Sequence, residues 1–572
     1  MKENDFTSEL LSEIFENLQI PELFKCILVN KKWSANAIRI LWKNPIEFIN
    51  LNLINSKLSK DKSYLNIIST MIKCLPFEIK IKIRTYGINF DELKEESQPM
   101  FDYCSLIKKI SFDMILNAID ILFNSLVEKS IIKDQTCHYI VFQEICNHLV
   151  DKCVISNNRD KKINPKFILN AYNPKQIGSC NKRGSNFPLP SQLPQMKKSL
   201  SKLEKFNLNT CIQPRFIQEL DNICKNILSI GIYCGCCDEH YLAEFIKNQM
   251  NLREIYVMSM NNFHLIKISE AIKIKLEQLT SLTISTGQIS LNIFNNKRCD
   301  QLIELSIYNF CDQLADIDEW NNFFRYNSIR FKNLKNLEIQ CNIKNFKYMG
   351  IFLNELSSLQ KLELAWSEDE EDNQDLIDEL FRNIAKYCSN LIQLELSTPK
   401  FTQSLEIILQ LCKKLEYLNL LNTNKSNDLN EKILLLGNYF PISLKKFGVQ
   451  FYLNISKEKL EEFLNNCFMN GIRNLSLGFY IEEFSNDYEI IMMKYVKLGT
   501  LNNEFFKSCK NLKNNAKLDS RFRLDLRLKG KYDMGYAFSE LVISEFVFQK
   551  SHVTNQLLIK KLENCYKSHN QP

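Results

Sequence analysis

The chain has 572 residues, 45% of them apolar and 24% charged, with a formal net charge of +7. This is the composition of a folded globular chain, and the length exceeds one ordinary core unless repeats extend it lengthwise. The charge is small for the length and both signs are interspersed, so nucleic acid is not expected as a partner.

Lys2, Glu3, Asp5 and Glu9 break any signal-peptide layout, and no run of about 18 uncharged apolar residues is present, so neither secretion nor a membrane span is expected. An intracellular chain, cytoplasmic or nuclear, is the expectation. Its 20 cysteines then read as reduced, mostly buried small hydrophobes.

In chain order, Leu10, Leu11, Ile14, Phe15 and Leu18 form one helical stripe, with Ser8 suited to the N-cap and Glu9 to the first turn. A second helix opens with Pro21 in its first turn and carries Leu23, Phe24, Ile27 and Leu28. A third carries Trp33, Ala37, Ile40 and Leu41. Three helices in about 40 residues cannot bury a full core, so an apolar partner surface is expected. The alternative is a helical hairpin packed on its own domain.

Residues 46–195 have a weaker pattern, a helical or irregular linking region in which Ile107, Ile110 and Phe112 suggest an early degenerate repeat. The stretch 157–198, rich in Asn, Lys, Pro, Gly and Ser, reads as a long, mobile, basic loop.

Over residues 196–490 the motif apolar-x-x-apolar-x-apolar recurs, beginning at Leu203, Ile227, Leu252, Leu279, Leu302, Leu334, Leu359, Leu391, Leu415, Leu444 and Ile472. The steps run from 23 residues (Leu279 to Leu302) to 32 (Leu302 to Leu334), averaging about 27, a leucine-rich-repeat period. Helix-like stretches such as Arg215 to Lys225, Gln374 to Tyr387 and Ser404 to Cys412 follow the strands. The fold class is therefore an α/β solenoid, a leucine-rich-repeat horseshoe with a parallel concave sheet and outer helices behind a three-helix N-terminal block. Residues 491–572 are expected to cap it: Phe522, Leu524, Leu526 and Leu528 alternate with charges, and an apolar run follows from Leu541 to Phe548.

Side chains alternate across a strand, so the residue between the second and third apolar positions faces the concave surface. Glu338, Glu363 and Glu395 hold that position in successive units, with Glu254 and Glu304 one alternate position away. Such a like-charge ladder costs stability unless a cation or basic partner compensates, although solvated carboxylates are the bland reading. Tyr233, Tyr256, Tyr308 and Tyr417 project from the same face as candidate anchors. The run Glu368 to Asp372 reads as a solvated loop or as a recognition loop at the rim.

Cys234, Cys236, Cys237 and His240 lack paired metal-ligand spacing, so no metal or other cofactor is expected. No phosphate-cradling glycine loop, nucleophile elbow or histidine pattern stands at a strand-to-helix junction, and no catalytic residue is assigned.

The first 45 residues closely resemble an F-box. Glu9-Leu10-Leu11 through Ile14-Phe15 to Leu18, then Glu22-Leu23, Leu28-Val29, Lys31-Lys32-Trp33 and Leu41-Trp42 carry the resemblance, with Phe6-Thr7 where the family usually has Leu-Pro and Asn30 where it often has Cys. Cys224, Cys388 and Cys412, each three residues before a repeat's first apolar position, resemble the cysteine-containing leucine-rich repeats often found behind an F-box. The resemblance implies docking on a Skp-type adaptor, and through it a cullin, by Phe6, Leu10, Leu11, Ile14, Phe15, Leu18, Leu23, Leu28, Val29, Trp33 and Trp42. It implies a non-catalytic substrate receptor of a ubiquitin ligase whose repeats hold a target protein, and the concave-face glutamates add the expectation of a basic segment on that target. The alternative is a repeat scaffold with a non-functional F-box.

Overall fold

The computed structural model describes residues 7–18, 20–43, 45, 57–85, 99–107, 115, 118–123, 140–149, 152, 168–171, 200–201, 203–208, 214–232, 239–258, 265–309, 317–327, 330–366, 374–397, 403–421, 434–453, 455–481 and 486–502. They fall into two compact units, one holding the described residues up to Tyr241 together with Asn248–Asn251, the other holding Leu242–Lys247 and those from Leu252 on.

The first unit opens with three helices, α1 (Ser8–Glu16), α2 (Ile20–Ile27) and α3 (Lys31–Leu41). Leu11, Phe15, Leu23, Cys26, Ala37 and Leu41 form their core, and Ile14, Leu18, Ile27, Trp33, Ile40 and Trp42 pack around it. Phe15 and Trp33 meet edge to face, 5.2 Å between ring centroids. The N-cap of α1 is Thr7, not Ser8: the Thr7 backbone is extended and its hydroxyl accepts the Leu10 amide at 3.3 Å. The N-cap of α3 is Asn30, whose side chain accepts the Trp33 amide at 2.9 Å. Both positions that depart from the F-box pattern therefore satisfy a helix-end amide, a contribution of about 1 kcal/mol each.

Three further helices follow, α4 (Lys57–Lys73), α5 (Phe77–Thr85) and α6 (Tyr103–Leu106). Ile107 ends α6 and is buried, outside any strand; Ile110 and Phe112 lie outside the described residues. Parallel strands β1 (Ile168–Ala171), β2 (Lys205–Leu208) and β3 (Ser229–Ile232) then run in chain order, with Leu169 beside Phe206 and Phe206 beside Ile230. The stretch 157–198 is thus not wholly a loop. The open edge of β2 needs partners for its amides and carbonyls, and an apolar Ile-Leu pair supplies a strand for it.

The second unit continues the pattern with β4 (Glu254–Val257), β5 (Ser281–Ser285), β6 (Glu304–Tyr308), β7 (Asn336–Gln340) and β8 (Lys361–Ala365). After these come β9 (Gln393–Ser397), β10 (Tyr417–Leu421), β11 (Lys446–Leu453) and β12 (Ser476–Ile481). Every neighbouring pair is parallel and in chain order. Leu305, Leu337, Leu362, Leu394 and Leu418 align as one buried row, and Ile307, Ile339, Leu364, Leu396 and Leu420 as a second. This is an α/β solenoid, with outer helices such as Gln374–Tyr387 and Gln403–Leu411 where the sequence places them.

The cysteines before the repeats have a defined task. Cys224 Sγ donates to the Leu200 carbonyl at 2.9 Å and Cys412 Sγ to the Cys388 carbonyl at 3.5 Å, each one repeat back. Ser358 and Ser443 do the same with hydroxyls, to Leu334 at 2.8 Å and Leu415 at 2.7 Å.

One of the two longest steps, from Leu302 to Leu334, holds the helix Ile317–Tyr326, which sends Trp320, Phe323 and Phe324 inward. Phe323 lies 5.1 Å from Phe294 and 5.2 Å from Phe352, so one ring bridges three successive repeats. Phe323→Ala is expected to destabilise this unit by about 3–5 kcal/mol, the usual cost of emptying a buried aromatic site. The midpoint of urea unfolding, followed by tryptophan fluorescence, checks it.

Candidate binding surfaces

The N-terminal block divides its apolar side chains between core and surface. Leu11, Phe15 and Leu23 are almost wholly buried and act as its interior, whereas Leu10 is 41% exposed, Phe24 57%, Leu28 85% and Val29 48%. Phe24 and Leu28 stand one helical turn apart at the end of α2, which places them on one side. Ile14, Leu18, Trp33 and Trp42 are half-buried around the core. Phe6 lies outside the described residues. Phe24 appears in the sequence only as a member of the α2 stripe; its exposure follows from the packing of α2 on α3.

In the second unit, strand register brings the sequence-assigned glutamates together. Ser306 lies beside Glu338, Glu338 beside Glu363, Glu363 beside Glu395 and Glu395 beside Asn419. A parallel row one alternate position earlier runs Glu254, Ser281, Glu304, Asn336, Lys361, Gln393, Tyr417, Lys446.

The acidic row carries its own compensation. The Tyr308 hydroxyl donates to one Glu338 oxygen, and Ser306 donates to the other at 3.2 Å. Lys361 Nζ stands 3.5 Å from Glu363. Glu304 accepts from Ser281 at 3.3 Å and from Asn336 at 2.9 Å. Tyr308 is buried by these contacts and is not an exposed anchor; burial and the neighbouring Glu338 push its hydroxyl far above the ordinary range. Tyr256 and Tyr417 are half-buried, and Lys446 Nζ lies 4.9 Å from the Tyr417 ring centre. The glutamate positions taken singly do not point to Lys361, although its place two residues before Glu363 puts both on one strand face.

Burial pushes the Glu363 carboxyl up to about 9, with the Glu338 and Glu395 carboxylates adding to it and Lys361 opposing. Magnitudes show why burial leads. Two like charges one strand spacing apart repel by roughly 3.5 kcal/mol at an effective dielectric of about 20, so two neighbours contribute roughly 7 kcal/mol. Lys361, at 3.5 Å, returns roughly 4.7 kcal/mol on the same scale. The remaining 2.3 kcal/mol or so is less than the roughly 3.4 kcal/mol needed to hold a proton on an ordinary carboxyl at pH 7, so loss of hydration decides. Burial works against the Lys361 charge, but the surrounding glutamates outweigh it, Glu363 among them once it ionises, and the ammonium is held up. At neutral pH the row therefore presents a protonated Glu363 beside the Lys361 ammonium.

Cys234, Cys236, Cys237, Tyr233 and the run 368–372 lie outside the described residues. The His240 and Tyr241 rings lie 5.4 Å apart between centres, inclined at 59°. Among the described residues no group of His, Cys, Asp and Glu is placed to hold a metal ion, and no helix is long and apolar enough to cross a membrane.

The chain is a leucine-rich-repeat-type α/β solenoid carrying a three-helix N-terminal block. No family model matches it, and no curated protein does. Solved structures similar to it include a chain of the Rad7–Elc1 complex of yeast, 16% identical, which covers 58% of this chain and 88% of that one with a TM-score of 0.31. A second is the TLR13–ssRNA13 complex, 15% identical, covering 56% of this chain and 40% of that one with a TM-score of 0.28. At these scores the assignment of the solenoid rests on the strands and their register.

The raised Glu363 carboxyl fixes the sign of a pH effect. The folded state holds this proton above the unfolded value of 4.5, so the associated stability is fully present below that pH and is lost as pH climbs towards about 9. Glu363→Gln should gain on the native chain as pH rises from 5 to 9, by at most about 1.4 kcal/mol per pH unit. Urea midpoints of both chains measured across that range check this, and parallel curves would contradict it.

Proposed function

We propose that this chain is the substrate receptor of a Skp-cullin-F-box ubiquitin ligase. The observation that carries the reading is the surplus of apolar surface on the N-terminal block: its core is complete, yet Leu10, Phe24, Leu28 and Val29 stand in water. With the F-box pattern over the first 45 residues, that surplus is the surface a Skp-type adaptor would cover, bringing a cullin with it. Burying one such side chain contributes about 1.5–3 kcal/mol.

The solenoid would hold the target for ubiquitination and proteasomal degradation. In this reading the chain supplies proximity and no chemistry, holding a target lysine near a ubiquitin thioester on another subunit. The basic-segment expectation rests on Glu338 and Glu395, since Glu363 is neutral. A scaffold with an idle F-box would draw on the loss of proline at Thr7; because Thr7 caps α1, no observation favours it.

Capture of a purified Skp-type adaptor by the full chain tests the docking surface. Phe24→Ser and Leu28→Ser should each weaken capture by about tenfold or more, while leaving stability within about 0.5 kcal/mol, because both side chains are already exposed. Leu11→Ala is unsuitable, since it empties the core of the block. Capture unchanged by both surface substitutions, or absent from the native chain, would sink the reading.

A further inference from the structure

The first unit holds a pair of cysteines unlike the rest. Most described cysteines are buried, and burial pushes thiols such as Cys299 and Cys467 up to about 12. Cys74 is only half-buried. It follows the end of α4, where its amide donates to the carbonyls of Thr70 at 3.2 Å and Met71 at 3.1 Å. Cys104, on α6, is fully buried, and its sulfur lies 3.9 Å from that same Met71 carbonyl. One carbonyl oxygen thus tethers both residues, although 30 positions separate them in sequence (104 − 74).

The Cys74 sulfur in turn lies within hydrogen-bonding reach of the Cys104 thiol and of the Cys104 and Tyr103 amides. The Cys104 hydrogen bond is the largest influence and, against burial, brings the Cys74 thiol down to about 7. Asp102 opposes this from the same segment and is itself paired with Lys152 at 2.8 Å. From the helical residues 140–149, His148 is hydrogen-bonded to the Cys74 backbone, and burial holds its imidazole below the ordinary range. Its Nε2 is buried with no hydrogen-bond partner among the described residues. The Tyr103 ring rests against Trp42, 4.5 Å between centroids, which links α6 to the end of α3.

We propose that Cys74 and Cys104 are a reversible dithiol–disulfide pair that responds to hydroperoxides, with Cys74 as the attacking thiolate and Cys104 as the resolving thiol. The Cys74 sulfur attacks one peroxide oxygen; the S–O bond forms, the O–O bond breaks, and the leaving hydroxide is protonated to water. The Cys104 sulfur then attacks the Cys74 sulfenic acid, the S–S bond forms, and the oxygen leaves as a second water carrying the Cys104 proton. Two thiols have lost two electrons, and one peroxide has become two waters. A dithiol reductant reverses the step through a mixed disulfide. The cross-link ties α6 to the end of α4 and so holds Tyr103 against Trp42. None of this depends on the ligase reading.

The full chain treated with hydrogen peroxide, blocked with an alkylating agent and digested should yield a Cys74–Cys104 peptide pair lacking two hydrogens, which a dithiol reductant abolishes. In Cys104→Ala, peroxide should leave a Cys74 sulfenic acid that dimedone traps. In Cys74→Ser, Cys104 should stay unmodified. Alkylation of Cys74 in the untreated chain should rise with pH to a midpoint near 7, not near the ordinary 9. Peroxide treatment that leaves both thiols alkylatable, or that drives Cys74 to sulfinic acid with Cys104 still reduced in the native chain, would overturn the pair. Should either variant fail to fold, the mapping on the native chain decides the matter alone.

Discussion

Everything in the solenoid depends on parallel strands stacked in register, one repeat apart. The amide of Ile392 donates to the carbonyl of Gln360, that of Glu416 to Ile392 and that of Lys445 to Glu416, each at 2.8 Å. Each repeat takes hydrogen bonds and apolar contacts from the one before it, so stability is a sum of nearest-neighbour terms. The thiols of Cys224 and Cys412 and the hydroxyls of Ser358 and Ser443 add a side-chain bond across the same seam. Irregular steps are tolerated where a large side chain bridges them, as Phe323 does between Phe294 and Phe352.

The same constraint generates the strain in the outward row. Register places like positions side by side, which is favourable for leucine on leucine and unfavourable for glutamate on glutamate. The chain relieves the conflict in three ways at once: hydroxyl donors on Glu338, an ammonium beside Glu363, and a retained proton on Glu363 itself. The result is a polar network whose charge state a ligand can alter. A cation arriving at this row would favour the ionised form of Glu363 and release its proton.

Much of this was legible in the sequence because the apolar positions of β2 to β12 repeat the same three-residue spacing. β1 (Ile168–Ala171) escaped because no such triplet surrounds it. The glutamate row follows from the spacing alone, but its internal partners do not. Tyr308 meets Glu338 diagonally across two strands, a contact that requires the register before it can be seen. Against the family pattern Thr7 stands in place of a proline, yet a hydroxyl one residue before Ser8 serves the helix end as well as Ser8 would. Cys74 and Cys104 carry no sequence signal at all, since only tertiary folding brings α4 and α6 together.

The N-terminal helices show where stripe reading runs out. Leu10, Leu11, Ile14, Phe15 and Leu18 all count as one apolar face, but the structure resolves them into two seams. Leu11 and Phe15, one turn apart, fill the block's core, whereas Leu10, Ile14 and Leu18 flank it, with Leu10 in solvent. A stripe wider than its own core needs is what remains when a second apolar surface is meant to cover it. The acidic row of the solenoid is the opposite kind of surface, polar and already hydrogen-bonded, and it gains nothing from a generic apolar partner. Apolar burial supplies affinity with little discrimination, while a preformed polar network rejects ligands that cannot match it. On the proposed function, the apolar surface would take a constitutive partner and the polar row a selected one.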